Sequence, residues 1–287
     1  MSSATPGRTV LLTATTLVAF AGNSILCRMA LKDGAIDPIA FTSIRLASGA
    51  FILGVIVQLR SQSLFSLRPI RWKPAAALSS YAITFSLAYV SIEAGVGALL
   101  LFSAVQVTMI GVAVVRGSRP GVTEWAGITT AIGGLGLLLA PGLTAPSLTG
   151  ALLMLVSGIS WGVYSLLGQG ESDPVAATSR NFLLATPFAA VLVFVPTGFD
   201  VLTMHGVGLA VASGAITSGL GYVIWYAALQ HLSITVAAIA QLAVPVIAAL
   251  GGIMLMGETL TPRFLLASAL ILGGIYLTVH GADHQRS

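Results

Sequence analysis

From Ser233 to Pro262 the chain reads SITVAAIAQLAVPVIAALGGIMLMGETLTP. Roughly 24 of these residues form an uncharged, mostly apolar run, enough at ~1.5 Å of rise per residue to cross a hydrocarbon layer ~30 Å thick. One proline, Pro245, interrupts the run, and Gly257-Glu258 closes it. A proline inside a helix removes one backbone hydrogen bond. In lipid, only neighbouring helices can take up the carbonyl it frees. The stretch therefore predicts a broken spanning helix, the kind of element around which membrane proteins build sites.

Ten apolar runs with short connectors can be counted, near 9–31, 38–59, 74–92, 95–115, 121–140, 147–168, 174–196, 205–229, 233–256 and 262–281. The 287 residues are 56% hydrophobic and 8% charged, against ~25% charged in a soluble domain. A soluble fold has too few polar groups here to cover itself. The fold class that follows is an all-α polytopic membrane protein of ten transmembrane helices, with the lipid bilayer as its surroundings. Asp37-Pro38, Asp173-Pro174 and Thr261-Pro262 each set a capping side chain before a proline at the first helical position. At the N-terminus, Arg8, the run Val10–Ala21 and Ala19-Phe20-Ala21 resemble a signal peptide with its cleavage site. The run continues through Ile25-Leu26 to Leu31, however, so it is read as the first helix of the mature chain.

Charge placement gives orientation. With the N-terminus inside, inner segments hold Arg8, Arg60, Arg68, Arg71, Lys73, Arg116, Arg119 and Arg286, whereas outer segments hold Arg28, Lys32 and Arg263. That eight-to-three bias puts both termini in the cytoplasm. The net charge of +4 sits mostly in connectors, so it points to topology and not to a nucleic-acid partner. Trp72 and Trp125, at helix starts, read as interfacial anchors. Cys27 is the single cysteine, which excludes an intrachain disulfide and a multi-cysteine metal site. Neither a metal, a cofactor nor an obligate protein partner is expected.

The chain also repeats itself. Asp37-Pro-Ile-Ala-Phe-Thr-Ser43 matches Asp173-Pro-Val-Ala-Ala-Thr-Ser179, and Gly133-Gly134-Leu135 matches Gly273-Gly274-Ile275. The offsets, 136 and 140 residues, are close to half the chain. Two repeats, 1–140 and 141–287, would each hold five helices. Five is odd, so the second must cross the membrane inverted relative to the first, an arrangement used for alternating access around a central site. Gly158-Ile-Ser-Trp-Gly162 is a small-xxx-small face, read as helix packing.

Leu242-Ala-Val-Pro245 and Gly257-Glu258-Thr-Leu in the ninth helix, on two five-helix halves, resemble the drug/metabolite transporter superfamily, EamA-type. Arg45 sits where that family often has an arginine in helix two. Helix four departs from the pattern, with Val105 and Ser118 where a proline and a glutamate would stand, so two equivalent broken helices are not expected. Within the superfamily the chain is most similar to bacterial exporters of amino acids and related metabolites, the aromatic-amino-acid exporters among them. The resemblance implies a multi-pass protein of the bacterial cytoplasmic membrane that exports a small-molecule substrate, without enzymatic activity.

Polar and aromatic residues in mid-helix are the candidate substrate contacts. Tyr81, Phe85 and Tyr89 form one stripe on helix three; helix eight carries Tyr222, Trp225 and Tyr226; helix six adds Trp161 and Tyr164; helix one adds Asn23 and Ser24. If helices one, three, six and eight face the centre, these residues line an uncharged cavity suited to an amphipathic solute. Tyr89 and Tyr164, near helix ends, fit the interfacial belt better. Gln106 and Gln241 lie mid-helix and must pair with substrate or, more simply, with another helix. Arg45 and Arg180 are the cations well inside helices. Each lies next to a DPxAxTS copy, which suggests gates at opposite faces, with Pro245 as a hinge. Arg45, ~12 Å past its Asp37 cap, has two routes open to it: snorkelling or ion pairing on one side, and a substrate carboxylate on the other.

Asp33, Asp37, Glu93, Glu124, Glu171, Asp173, Asp200, Glu258 and Asp283 all fall at helix ends or connectors. With no carboxylate at mid-membrane, uniport or exchange is expected in place of proton coupling. There is no HExxH, GxSxG or GxxxxGK[ST] motif for a membrane enzyme, and no charge ring or filter repeat for a channel. Efflux of lipophilic cations is the alternative transport reading, although it would want a buried carboxylate. Nucleotide-sugar transport would want more buried cations.

Overall fold

Prolines and capping acids start the helices where the sequence places them. In the computed structural model, which describes residues 6–60, 71–117, 119–142, 145–169, 171–194, 201–232 and 234–284, Asp37 Oδ1 accepts from the Ile39 and Ala40 amides at 2.8 Å. Asp173 Oδ1 accepts from Ala176 N at 3.1 Å. Pro38 and Pro174 follow at the first helical position, where no amide is missed. Arg68, Ser118, Asp200, Ser233 and Arg286 lie outside the described residues, as does the side chain of Asp283.

The helices are α1 (Pro6–Lys32), α2 (Pro38–Leu59), α3 (Trp72–Tyr89), α4 (Ala94–Val115), α5 (Val122–Leu139), α6 (Leu148–Leu167) and α7 (Pro174–Leu192). An eighth span runs through α8 (Met204–Val211), a π-helical segment (Ala212–Leu220) and α9 (Gly221–Leu229). The ninth is α10 (Ile234–Gln241) followed by α11 (Ala243–Met256), and α12 (Pro262–His284) is the tenth. The chain is an all-α polytopic membrane protein. Among the described residues nine spans are long and apolar enough to cross a bilayer. The exception, α3, carries Lys73, Ser79, Ser80, Tyr81, Thr84 and Ser86 in its 18 residues; Lys73 is exposed at its start, whereas Ser79, Tyr81 and Ser86 are buried in the bundle.

The break in the ninth span falls at Leu242, three residues before Pro245. Pro245 has no amide to give the carbonyl of Gln241, so the ladder loosens one turn upstream of the ring. By contrast α4, with Val105 in place of a proline, is one continuous helix of 22 residues. Two irregularities carry weaker sequence signals: Pro187 inside α7, and the π-helical segment, which contains the pairs Ser213-Gly214 and Ser218-Gly219. A bulge of that kind frequently marks a functional site.

Helices pack α2 on α7, α3 on α6, α4 on both α6 and α11, α5 on α12, and α1 on α9 and α11. Small residues set the spacing. A Cβ on Gly127 of α5 would strike the carbonyl of Gly274 on α12, and one on Gly274 would strike the carbonyl of Gly127. Gly158 and Gly162 face Ala104 and Thr108 of α4 in the same way. In lipid, where apolar surfaces gain nothing by leaving the solvent, such close contact is what holds helices together. Trp72 and Trp125, 55% and 51% exposed, stand at the starts of α3 and α5.

One end of the bundle is shut. The backbone of Ile36 pairs with Leu202 as an isolated antiparallel bridge, with Asp37 N donating to Val201 O at 2.8 Å and Thr203 N to Ala35 O at 3.1 Å. Lys32 Nζ donates to Met256 O at 2.8 Å, and Arg263 Nη1 to Ala140 O at 2.6 Å. At the other end, where α2, α4, α6 and α9 finish and α3, α7 and α10 begin, the helices part.

Candidate functional site

Between the parted ends lies a cavity of about 1050 Å³. Its mouth is lined by Arg60, Arg71, Glu171, Asp173 and Arg180, and Arg71 donates to Glu171 across it. Deeper in, the lining turns aromatic and amide-bearing: Phe20, Trp161, Tyr164, Tyr222, Trp225, Tyr226, Asn181, Gln106 and Gln241. The expected uncharged cavity is thus uncharged only in its depth, because connector and helix-end charges crowd the entrance.

The rings are organised. Trp161 stacks on Tyr222 at 5.4 Å between centroids and 21° between planes. Its other neighbours are Tyr81 at 4.9 Å and Tyr164 at 5.3 Å. Phe20 meets both Tyr222 and Trp225 edge-on at 5.8 Å. Contacts of this geometry contribute about 0.5–1.5 kcal/mol each beyond area burial, so the Trp161–Tyr222 pair forms a firm floor. Tyr226 shares a hydrogen bond with Thr178 Oγ1 at 3.1 Å, and Asn181 Nδ2 donates to Tyr164 OH at 3.4 Å.

Under the floor lies a second, sealed layer. Asn23 Nδ2 donates to Tyr81 OH at 3.2 Å, and Asn23 Oδ1 accepts from Ser213 Oγ of the π-helical segment at 2.6 Å. Tyr81, Phe85 and Tyr89 run down α3 as a ladder of rings, 5.3 and 4.8 Å apart. Asn23, Tyr81 and Phe85 are therefore drawn together with Trp161 and Tyr222, but beneath the open cavity and not on its wall. Pro245 is buried against the core away from both.

Several expectations are corrected here. Tyr89 and Tyr164 do not belong to an interfacial belt: both are buried, Tyr89 donating to Ala94 O at 3.3 Å and Tyr164 to Thr178 Oγ1 at 3.5 Å. Arg45 does not snorkel or pair with an acid. It is 1% exposed, because the side chain runs inward across α3, where Tyr81 OH accepts from Nη2 at 2.9 Å. Gln241 donates to Ala237 O of its own helix at 3.5 Å and stands on the cavity wall. Arg180 stands on the cavity wall. It is not the repeat counterpart of Arg45, since the 136-residue offset carries Arg45 onto Asn181.

Residues not foreseen as partners hold the sealed end. Arg28 Nε lies 3.1 Å from Glu258 Oε1, while Arg28 Nη1 donates to the carbonyls of Tyr89 at 2.9 Å and Val90 at 3.1 Å. Glu258 Oε2 accepts from Ala94 N at 2.9 Å, so one ion pair ties together α1, the end of α3, the start of α4 and the turn after α11. The sequence signal was present as an Arg and a Glu at helix ends, but nothing in a linear reading joins positions 230 residues apart. Among the described residues no cluster of acids, histidines and cysteine could hold a metal ion.

These features define a multi-pass membrane protein whose described residues enclose a large cavity at one end of the bundle. Comparison with known proteins agrees. The EamA-like transporter family model matches residues 148–280, from α6 through most of α12. An uncharacterized protein of Pseudomonas aeruginosa is 52% identical over 94% of each chain. The threonine/homoserine exporter RhtA of Escherichia coli K12 is 32% identical over 59% of each. A protein of known crystal structure, 19% identical, shares the fold with a TM-score of 0.64 over 96% of this chain and 98% of its own. Over residues 148–280 the chain is thus similar to the EamA-like transporter family.

Proposed function

We propose that this protein is a secondary transporter that exports small amphipathic metabolites, most simply apolar or aromatic amino acids, across the bacterial cytoplasmic membrane. The observation that carries the reading is the asymmetry of the bundle: a cavity of about 1050 Å³ open at one end and an ion-paired seal at the other. The open end carries Arg60, Arg71 and Lys73, so by the positive-inside rule it faces the cytoplasm, as do both termini. The described conformation is then inward-open, ready to load a solute from the cell. The cavity's size and aromatic depth suit a ligand with an apolar part and a few polar handles. The threonine/homoserine exporter among the relatives supports an amino acid as the solute.

Helix pairing supports two inverted repeats, 1–140 and 141–287. Spans two and seven, four and nine, and five and ten pack as partners, and the contact of span three with six is answered by that of eight with one. A pseudo-twofold axis in the membrane plane relates such pairs, and swapping the conformations of the halves would close the cavity and open the seal. Every described acid lies at a helix end or in a connector, which supports uniport or exchange over proton coupling.

Purified protein in liposomes preloaded with unlabelled amino acids provides the test. Saturable counterflow of labelled leucine, phenylalanine or threonine is the expected result. Flux of quaternary amines alone would replace the reading with cation efflux, and accumulation driven by an imposed pH gradient would overturn the coupling.

A further inference from the structure

Arg45 is a buried cation with neutral neighbours. It lies on α2, and its guanidinium reaches Tyr81 OH through Nη2 at 2.9 Å and Ser218 Oγ through Nε at 3.4 Å. The Cζ atom sits 5.3 Å from the Tyr81 ring and 4.9 Å from the Phe85 ring. Its Nη1 is enclosed and has no hydrogen-bond partner among the described residues. The two ion pairs described elsewhere, Arg28–Glu258 and Arg71–Glu171, both lie near the ends of the bundle.

A buried donor is normally satisfied, and a buried charge is normally paired. A charge inside a spanning helix that lacks its counter-ion marks a functional site. The surroundings show which kind. Arg45 lies one layer beneath the cavity floor, joined to it through Tyr81, whose ring packs 4.9 Å from Trp161. The helix facing it is the π-helical segment, whose wide turn presents Ser213 and Ser218. Its Gly214 lies so close to the Arg45 carbonyl that a Cβ would not fit. Hydroxyls and amides supply the polarity there, and the cation supplies the only described charge.

We propose that Arg45 is the carboxylate anchor of the transport site: when the Trp161–Tyr222 floor parts, the substrate's carboxylate takes the open Nη1 face of the guanidinium while its apolar part stays against the rings. One free face on one cation matches a single negative charge. A phosphate dianion would leave charge unbalanced. The inference rests on the transporter reading and narrows it to substrates bearing a carboxylate.

The test compares acids with their own amides. Leucine, phenylalanine, tryptophan and threonine are each paired with the corresponding amide, in ligand-induced thermal stabilisation of purified protein and in liposome counterflow. Wild-type protein is expected to bind and move the acids at least about tenfold better than the amides, the loss expected for a charge-assisted hydrogen bond. Arg45→Gln should bring acid and amide to the same low level, and Arg45→Lys should restore part of the preference. Tyr81→Phe, which frees Nη2 but keeps the cation, should preserve the preference, and serves if Arg45→Gln does not fold. Equal recognition of acids and amides by wild-type protein overturns the anchor. So does an Arg45→Gln protein that loses both to the same degree, which is the mark of a structural role. Acid-selective binding without any flux would sink the transport reading and sustain the anchor, whereas flux without acid selectivity would do the reverse.

Discussion

Arg28 Nε and Glu258 Oε1 stand 3.1 Å apart, with both side chains largely buried, at the end of the bundle opposite the cavity. Removing one partner of such a pair strands the other and costs about 3–5 kcal/mol where burial is complete. The pair therefore weights the balance between a shut and an open seal. The chain carries its own reporter: Cys27, its single cysteine, is buried beside Arg28 and faces Ser86 at 3.8 Å. In Glu258→Gln, a membrane-impermeant maleimide added from the sealed side should label Cys27 at least about ten times faster than in wild type, since 1.4 kcal/mol is tenfold in population. An unchanged labelling rate in a folded variant would show that the pair does not hold the seal.

The Trp161–Tyr222 stack sets the depth to which a solute can enter. Trp161→Ala removes contacts to Tyr81, Tyr164 and Tyr222 together. Losing about 0.5–1.5 kcal/mol of ring contact should raise the KM of an aromatic substrate about three- to tenfold. Gln106→Ala, a change on the cavity wall away from the stack, should move KM less. Counterflow at several substrate concentrations separates the two.

The Gly127–Gly274 contact brings the backbones of α5 and α12 together, with the Thr278 hydroxyl of α12 beside it donating to Glu124 O at 3.4 Å. Gly127→Leu must push the helices apart, and overpacking of this kind costs about 1–3 kcal/mol. Unfolding temperature in detergent should fall. Gly133→Leu, where nothing lies within 4 Å of the added Cβ, should leave it nearly unchanged. Equal effects would mean that the close approach is not what holds the pair.

Ten spans, their caps and the break near Pro245 were legible because each depends on local chemistry: run length, a capping acid, a ring without an amide. The residues that meet at the centre were also legible as types, since polar and aromatic side chains in mid-helix have few other uses. Their layering was not. Whether Tyr81 lines the cavity or lies under Trp161 depends on how α3 rotates against α6, and Gly158 settles nothing about that rotation because it packs on α4. The inward path of the Arg45 side chain was not legible for the same reason. Depth along its own helix suggests an escape to the surface, whereas the path of the side chain is set by Gly214 and Ser218, about 170 residues away, which bring the eighth span close enough to enclose it.

Glu93, the residue before α4, adds a pH dependence to the sealed end. Burial and the nearby Glu258 carboxylate push its carboxyl above the usual range, only partly offset by Arg28 and Lys32. A carboxyl whose proton affinity is higher folded than unfolded costs nothing at pH values below its unfolded range. It destabilises the fold increasingly as pH rises through the folded one. Glu93→Gln, which keeps the size and removes the charge, should therefore stabilise the protein at about pH 7.5. The advantage should shrink to nothing near about pH 4, where the wild-type carboxyl is itself protonated. Thermal unfolding of the two proteins across that interval checks the sign: a difference that grows toward acid would mean that ionised Glu93 is held by Arg28 and Lys32 more strongly than it is opposed by burial and Glu258.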